Sequence, residues 1–352
     1  MNGDCSAIYI GFILGGERLM GRMYTGSGEP LGVTVLEVEI EAEQGPEGFL
    51  RNLGKLTTLL LRESGANWTA VRGIGVGLPA PLKDGIVQDR ANMEHPAWTN
   101  WPAEVRLVQY FEGMPVVIEN DANLAAYGEW TTQNGARRHD LIVVVAIGTG
   151  IGGGIILGGG IFRGQGAAGE FGRFRMTMDP YAFWYPGRKG TAREDTVEYF
   201  ASQLAMARQL EERFADARFD PEHRHPLREV GRSNTGGLNF HRMAEEAARF
   251  ADEGDELCLG LFRLREEAIG QLLFSVGLMF NPHGFILGGH TIATMSAAFR
   301  EKFINRVKEQ MVKRLQPVLP GYEYDVVAAK LGDEAAVFGS AMLARDSAGV
   351  QV

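Results

Sequence analysis

A run rich in glycine occupies the middle of the chain. Residues Ile147 to Gly154 hold five glycines within seven consecutive positions, between two apolar segments. Because glycine has no Cβ atom, such a run exposes successive backbone N–H groups that can donate to the oxygens of a polyanion. The predicted contacts of a phosphate-binding loop are Gly148, Thr149, Gly150, Gly152 and Gly153. A tight glycine hairpin without a ligand has the same composition and is the alternative.

A carboxylate follows the apolar segment Pro115 to Ile118. Asp121 comes directly after Glu119 and Asn120 and opens a helical pattern that runs from Ala122 to Thr131. Open α/β sheets present their reactive groups at this junction of strand and helix. The carboxylate could accept the proton of a hydroxyl group that attacks a phosphoryl group. The structural alternative is that Asp121 serves only as the N-cap of the helix.

Apolar periodicity predicts the strands and helices that place these residues. In the first half it predicts strands at Ile8 to Leu14, Arg18 to Tyr24 and Leu31 to Glu39, a helix at Phe49 to Glu63 and a strand at Val71 to Leu78. In the second half it predicts a meander at Leu141 to Phe162, helices at Thr196 to Phe214 and Arg242 to Met279, a strand at Phe285 to Leu287 and a last helix at Glu334 to Arg345. Two similar halves, each with a glycine loop, predict a cleft between them.

The length of the chain favours two domains. Its 352 residues, 45% of them hydrophobic, exceed what one typical core holds. We predict an N-terminal lobe of residues 1–120, completed by a C-terminal helix at 334–347, and a C-terminal lobe of residues 121–333. Within the second lobe, residues 215–238 interrupt two helical patterns and form a predicted insertion.

The charge and the cysteine content exclude several classes of protein. A net charge of −9 and a pI near 5.4 provide no basic surface for a phosphate backbone, so we expect no direct nucleic acid partner. Cys5 and Cys258 are too few for a disulfide framework or for a zinc site built from several thiolates. We find no apolar stretch that could span a membrane and no signal peptide, and we expect a cytoplasmic protein.

Six motifs along the chain together resemble one known family. They are Gly75 to Pro81, Glu119 to Asn123, Gly148 to Gly154, Gly164 to Gly172, Leu287 to Gly289 and Leu331 to Leu343. Their order and spacing resemble the ROK family (repressor, open reading frame, kinase) of sugar kinases and sugar-responsive repressors, from Ile8 to Ala344. The resemblance implies an α/β fold, the two-lobed actin-like ATPase (ribonuclease H-like) fold, in which each lobe is a mixed sheet with flanking helices.

The resemblance also implies roles for individual residues. Asp121 corresponds to the general base of the family kinases, and ATP with Mg²⁺ is the expected phosphoryl donor. The residues expected to bind the sugar are Asn92, Asn120, Glu170 and Glu198. The expected contacts to the nucleotide, besides the central glycine run, are Gly15 and Gly16 in a first phosphate loop and Gly288 and Gly289 on the adenosine side. The resemblance further implies a homodimer.

The first phosphate loop departs from the pattern of the family kinases. Those kinases have an Asp and a Thr where this chain has Ile13 and Glu17. Ile13 cannot help to hold Mg²⁺, and Glu17 brings a negative charge towards a polyanion. Phosphoryl transfer depends on positioning and on charge neutralisation, so the two changes should cost on the order of several kcal/mol in the transition state. We therefore expect slow ATP turnover or none.

The resemblance identifies Gly164 to Gly172 as a sugar-side loop, and the residues that follow it depart from the family as well. Arg173 stands where the family usually has a His, and the cysteine cluster that binds zinc in the family is absent, so we expect no zinc and no other resident metal. Arg173 could donate hydrogen bonds to a substrate, including an acidic one, because its guanidinium suits a carboxylate. A plain surface arginine is the alternative.

Two functions from different classes remain after these comparisons. A weak ATP-dependent kinase of a hexose or amino sugar is favoured by Asp121, Glu170 and Glu198. A sugar sensor without turnover is favoured by Ile13 and Glu17. Repression of transcription by direct binding to DNA is the least favoured function. We expect no room for a DNA-binding module before the first strand, and the chain is acidic.

Overall fold

The structure is a computed structural model that describes most of the chain. The described residues are 7–15, 18–40, 44–90, 93, 95–132, 140–178, 195–215, 225–230 and 239–349, without the side chains of Val33, Phe240 and His241. Three residues with predicted roles, Gly16, Glu17 and Asn92, lie outside these ranges. So does most of the predicted insertion, of which only residues 215 and 225–230 are described.

The described part of the chain contains twelve strands and eleven α-helices. The strands are β1 (Ile8–Leu14), β2 (Arg18–Thr25), β3 (Pro30–Glu39), β4 (Val71–Leu78), β5 (Leu82–Lys83), β6 (Ile86–Val87), β7 (Val116–Asn120), β8 (Leu141–Ile147), β9 (Ile151–Leu157), β10 (Gly160–Ile161), β11 (Gly284–Gly288) and β12 (Asp325–Ala328). The helices are α1 (Gly45–Ser64), α2 (Ala103–Tyr110), α3 (Asp121–Thr131), α4 (Val197–Ala201), α5 (Gln203–Phe214), α6 (Leu227–Val230), α7 (Phe240–Asp252), α8 (Glu256–Phe280), α9 (His290–Ala293), α10 (Ala297–Leu315) and α11 (Ala335–Ala348). The predicted meanders and the predicted strands are confirmed.

The prediction of two long continuous helices from periodicity is wrong, because the structure divides each of them into two helices. The predicted helix from Thr196 to Phe214 breaks at Ser202, whose backbone is extended and whose side chain caps α5 by accepting from the amide of Ala205. The predicted helix from Arg242 to Met279 breaks at Gly254, which has a φ of 95°, and α8 then starts with Asp255 as its N-cap. Capping groups and a left-handed glycine end a helix even where the apolar spacing continues.

The chain divides into two compact units. One unit comprises Met1–Asp140, Gly154–Gly169 and Asp333–Val352, and the other comprises Leu141–Gly153 and Glu170–Gly332. The first unit thus includes α3, which the sequence-based division at residue 120 assigned to the second lobe. The reason is that α3 packs along α11, the C-terminal helix that closes the first unit.

The sheet of the first unit has the strand order β3-β2-β1-β4-β7. The strands β1, β4 and β7 are parallel, and the register pairs Ile13 with Gly77 and Gly77 with Glu119. The carboxyl ends of parallel strands meet at one edge of a sheet, which is where ligands bind in open α/β folds. That edge therefore carries Gly15 of the predicted first phosphate loop, the turn after β4 and the start of α3.

Glycines let α11 approach this sheet more closely than a side chain would permit. A Cβ atom on Gly75 would lie 1.9 Å from the carbonyl oxygen of Ser340, and one on Gly11 would lie 2.0 Å from that of Val337. The same helix meets α3 where a Cβ atom on Gly339 would lie 1.9 Å from the carbonyl oxygen of Leu124. Part of the high glycine content thus serves helix packing rather than ligand binding.

The second sheet has the strand order β10-β9-β8-β11-β12, and the division between the two units falls within β9. The strands β8 and β11 are parallel, with Gly288 opposite Ala146. In the second unit the fully buried side chains of Phe262, Phe285 and Phe303 lie on α8, β11 and α10 and form part of its core. Among the described residues, no helix combines the length and the apolar character needed to cross a membrane.

A substitution of Gly75 by Ala tests the close packing of α11. The new methyl group would overlap the backbone of Ser340, so we expect the free energy of unfolding to fall by about 3 kcal/mol. Gly73→Ala is the matched control, because it lies on the same strand and its Cβ would find only ordinary contacts, the nearest at 3.4 Å. We expect the control to change stability by less than about 1 kcal/mol in a denaturant titration. Equal losses for both variants would contradict this account of the packing.

Candidate active site

Asn120, and not Asp121, is the N-cap of α3. The Oδ1 atom of Asn120 accepts from the amides of Ala122 and Asn123 at 3.0 and 3.2 Å. The Nδ2 atom of Asn120 donates to the carbonyl oxygen of Ala80 at 3.4 Å. The alternative in which Asp121 only caps the helix is therefore wrong. Because its amide oxygen serves the cap, Asn120 keeps chiefly its Nδ2 group for any ligand.

Asp121 is the first residue of α3 and is half-buried. Its Oδ1 atom accepts from the amide of Ala122 at 2.8 Å. The positive end of the helix dipole favours a negative charge at this position. Strand β7 ends at Asn120, so the carboxylate of Asp121 is held at the edge of the sheet where the parallel strands end.

Ile13 gives this edge an apolar side chain at the position where the family resemblance implies an Asp. Ile13 is buried, and a Cβ atom on Gly77 would lie 2.4 Å from its Cδ1 atom and 2.8 Å from Cδ1 of Leu124. Its side chain thus fills the space beside Gly77 at the start of α3. Hard cations such as Mg²⁺ take oxygen ligands, so position 13 does not fit a Mg²⁺ site.

The first glycine turn joins β1 to β2. The amide of Gly15 donates to the carbonyl oxygen of Arg18 at 2.8 Å. The side chain of Arg18 pairs with Glu37 on β3 at 2.6 Å, in an exposed position. The expected role of Gly15 in nucleotide binding stays a prediction.

The central glycine turn, residues 148–150 between β8 and β9, is held from one side by α5. The carbonyl oxygens of Gly148 and Thr149 accept from the amides of Gln203 and Leu204 at 2.9 and 3.5 Å. In a trans peptide the N–H points opposite to the C=O, so the amides of Thr149 and Gly150 point away from α5.

Two other amides of the glycine run have partners within the protein. The amide of Gly148 donates to the carbonyl oxygen of Gly150 at 3.0 Å, and the amide of Ile151 donates to Oε2 of Glu198 at 2.9 Å. Gly152 and Gly153 lie in β9, and a Cβ atom on Gly153 would lie 2.4 Å from the carbonyl oxygen of Val144. Within the turn at 148–150, Thr149 and Gly150 are thus the candidates for holding a phosphate by a backbone amide, and the expected roles of Gly152 and Gly153 stay predictions.

Glu198 lies against the central glycine turn. The side chain of Thr196 caps α4 and so places Glu198 in its first turn. A Cβ atom on Gly150 would lie 2.4 Å from Oε2 of Glu198, and one on Gly172 would lie 3.2 Å from the same atom. The structure therefore brings this predicted sugar ligand together with the turn and with the end of the sugar-side loop.

Two predicted sugar ligands form an ion pair with each other. The Nε atom of Arg173 donates to Oε2 of Glu170 at 3.0 Å, and the side chains are 62% and 36% exposed. Exposed ion pairs typically contribute only about 0–1 kcal/mol. A ligand with suitable hydrogen-bonding groups could therefore displace this contact at little cost.

The predicted adenosine-side glycines lie beside the central glycine turn. Gly289 has a φ of 84°, and a Cβ atom there would lie 2.7 Å from both the backbone N and O of Ile147. Strands β8 and β11 end together, so Gly288 and Gly289 follow at the same sheet edge as the turn. The neighbouring His290 begins α9 and pairs with Glu245 at 2.8 Å.

The prediction from sequence missed Glu119 and Arg163. The carboxylate of Glu119 is buried at the end of β7, and the Nε atom of Arg163 donates to it at 2.5 Å. The available signal was a charged residue at the end of an apolar strand, directly before Asn120 and Asp121. A buried charge at such a position requires a charged partner and hydrogen bonds.

One cluster in the described residues has the residue types of a metal site. His225, Asp255 and Cys258 offer atoms that all lie within 4.8 Å of one another. Asp255 is the N-cap of α8, its Oδ1 atom accepts from the amide of Cys258 at 2.8 Å, and Nε2 of His225 lies 3.2 Å from its Oδ2 atom. Burial raises the pKa of the Cys258 thiol, which disfavours the thiolate that a metal would need. Hydrogen bonding thus accounts for the cluster.

The fold and the sheet edges define an α/β protein of the actin-like ATPase class, as predicted. A comparison with protein families matches the ROK family over residues 9–347. The chain therefore belongs to the ROK family.

Relatives within that family include both enzymes and regulators. The chain is 32% identical to a glucokinase of Streptomyces coelicolor over 251 residues, which cover 71% of this chain and 73% of the relative. It is 25% identical to a xylose repressor of Caldicellulosiruptor bescii over 296 residues, 83% of this chain and 67% of the relative. Among solved structures, the ROK family glucokinase of Streptomyces griseus in complex with glucose and AMPPNP has a TM-score of 0.74 and 27% identity, covering 97% of this chain and 100% of that one.

Two glycine substitutions test how closely the central turn is packed at Gly150 and at Gly148. Gly150→Ala would push a methyl group against Glu198 and break its bond to Ile151, so we expect a loss of about 1–3 kcal/mol in the free energy of unfolding. A Cβ atom on Gly148 would meet nothing within 4 Å, so Gly148→Ala should stay within about 0.5 kcal/mol of the parent protein. Denaturant titrations of the unliganded proteins provide the comparison, and a destabilised Gly148→Ala variant would contradict this geometry.

Proposed function

We propose that the protein transfers the γ-phosphoryl group of ATP to a hydroxyl group of a hexose or amino sugar, with Asp121 as general base. The hydroxyl oxygen attacks phosphorus, the bond from phosphorus to the β-phosphate oxygen breaks, and Asp121 accepts the hydroxyl proton. The observation that carries the proposal is the placement of Asp121 as the first residue of α3 behind the Asn120 cap.

Membership of the ROK family supports a sugar and ATP as the substrates. The related glucokinase of Streptomyces griseus was solved with glucose and AMPPNP, and the relative from Caldicellulosiruptor bescii is a xylose repressor. In the proposal, the amides of Thr149 and Gly150 hold phosphate oxygens, and Gly288 and Gly289 lie on the adenosine side. The proposed sugar ligands are Asn92, Asn120, Glu170, Arg173 and Glu198.

We propose that turnover is slow. Mg²⁺ bound to ATP would neutralise charge that develops in phosphoryl transfer, and Ile13 does not fit a role in holding it. The buried position of Ile13 beside Gly77 supports this part of the proposal. We propose no zinc requirement, because Arg173 stands at the position of the family's His and pairs with Glu170.

A sugar sensor without turnover is the second candidate. The buried apolar side chain of Ile13 favours it, because a binding protein needs the sugar ligands but no support for a metal. The likeness to xylose repressors is compatible with such a role. The acidic net charge of −9 supports action without direct contact to nucleic acid. For either function, family likeness supports a cytoplasmic homodimer.

Replacement of Asp121 by Asn tests the kinase. Asn keeps an oxygen that can accept from the amide of Ala122 but cannot act as a base, so we expect a fall in kcat of about 100-fold or more with little change in stability. The measurement is a coupled ATPase assay with a panel of hexoses and amino sugars. Asp325→Asn, an exposed change at the start of β12, is the control and should leave the rate unchanged.

Sugar-induced thermal stabilisation of the parent protein without any turnover would favour the sensor. A rate that Asp121→Asn leaves intact would rule out Asp121 as the base.

Replacement of Ile13 by Asp tests the cause of slow turnover. A carboxylate at this position should raise kcat by roughly 10-fold or more at saturating Mg²⁺, alone or with Glu17→Thr. Ile13→Asn is the matched control, because asparagine is close to aspartate in size and polarity but adds no charge. Both variants should lower the free energy of unfolding by about 1–3 kcal/mol, because a polar group replaces a buried isoleucine. Equal rates for Asp and Asn at position 13 would show that the missing carboxylate does not limit turnover.

A further inference from the structure

The buried carboxylate of Glu119 binds both the end of β7 and the first turn of α3. Its Oε1 atom accepts from the amide of Asn120 at 2.8 Å and from Nδ2 of Asn123 at 3.0 Å. Its Oε2 atom accepts from Nε of Arg163 at 2.5 Å. Asp121 lies between the two residues that Oε1 holds. A shift of this carboxylate would therefore move the backbone on both sides of Asp121.

Arg163 lies at the start of the sugar-side loop. Its carbonyl oxygen accepts from the amides of Gly166 and Ala168 at 2.8 and 3.3 Å, so Arg163 also closes the first turn of this loop. Gly166 has a φ of 102°, and a Cβ atom there would lie 2.3 Å from the carbonyl oxygen of Leu82 on β5. The loop is thus seated on the same unit that carries Asp121, and along the chain it leads to Glu170.

The burial of Glu119 makes Arg163 its necessary partner. The side chain of Glu119 is 5% exposed and that of Arg163 is 50% exposed. A buried carboxylate is tolerated when a charge partner and further hydrogen bonds satisfy it, and the loss of one partner leaves an uncompensated charge. A glutamine at position 119 could keep the two bonds within the α3 segment but would lose the charge attraction to Arg163.

We propose that Glu119 and Arg163 are positioning residues for the proposed kinase. Their ion pair fixes the position of the Asp121 carboxylate relative to residues 164–169 of the sugar-side loop. Neither side chain needs to touch the reacting atoms for this role. The inference rests on the proposed function for its catalytic consequence. The mechanical link between the two segments can be tested without any turnover.

The kinetic test compares Glu119→Gln, Arg163→Met and the double variant with the parent protein. Each single variant should lower kcat by about 10–100-fold, because small misplacement of a catalytic group has effects of this size. The KM for ATP should stay within about 2-fold, because the proposed ATP contacts are not altered. The double variant should fall no further than the worse single variant, since both changes break one contact. Arg163→Lys, which keeps the charge, should recover part of kcat.

The matched control is the exposed ion pair between Arg106 and Glu47, which is 2.6 Å long, close to the 2.5 Å between Arg163 and Glu119, and lies in the first unit. Arg106→Met and Glu47→Gln should leave kcat and KM unchanged. If Asp121→Asn abolishes turnover while Glu119→Gln and Arg163→Met retain the parent kcat, the positioning role is overturned and the kinase stands.

Hydrogen exchange provides the readout that needs no activity. In Glu119→Gln, amide exchange should rise by about 10-fold both in residues 120–124 and in residues 164–169, and Arg106→Met should raise neither. If the loop at 164–169 exchanges as in the parent protein while residues 120–124 loosen, the link is absent and the inference is overturned. If the parent protein shows no turnover with any sugar, the proposed kinase fails, and this exchange experiment alone decides whether the ion pair couples the two segments.

Discussion

The first unit depends on the close approach of one helix to a sheet and to a second helix. The backbone of α11 passes Gly75 on β4 and Gly11 on β1 at distances that leave no room for a Cβ atom, and Gly339 allows the same approach to α3. Close-packed contacts of this kind leave little freedom for sliding, because each neighbour already touches backbone. The start of α3, with Asn120 and Asp121, is thereby set at the edge where the parallel strands end.

Hydrogen bonding then decides which groups at the two sheet edges can serve a ligand. The side-chain oxygen of Asn120 accepts hydrogen bonds in the cap of α3, and two carbonyl oxygens of the turn after β8 accept from amides at the start of α5. The amides of Thr149 and Gly150 consequently face away from α5. At the other edge, the buried Ile13 occupies a position where the family resemblance implies an acidic residue. Retained positioning of Asp121 together with an apolar position 13 is the physical basis on which a weak kinase is proposed.

The strands and most helices could be predicted because their signals are local. Val71 to Leu78 is a strand that is apolar apart from the exposed Arg72, and its predicted and observed bounds agree. The helices around Ser202 and Gly254 were predicted as continuous, because the apolar spacing persists through both breaks. A cap bond from Ser202 and a positive φ at Gly254 outweigh that spacing. The packing role of many glycines could not be predicted, because it depends on helices distant in the sequence.

The sequence by itself determined the family, the kind of elements and the residue types at the two edges, including Asp121 and the loss of an acidic residue at Ile13. These follow from side-chain chemistry and local order along the chain. Only the tertiary structure decided that Asn120 caps α3, that Arg173 pairs with Glu170 and that Glu119 is held by Arg163. Such contacts require directions and distances between separate segments, and spacing along a chain does not contain them.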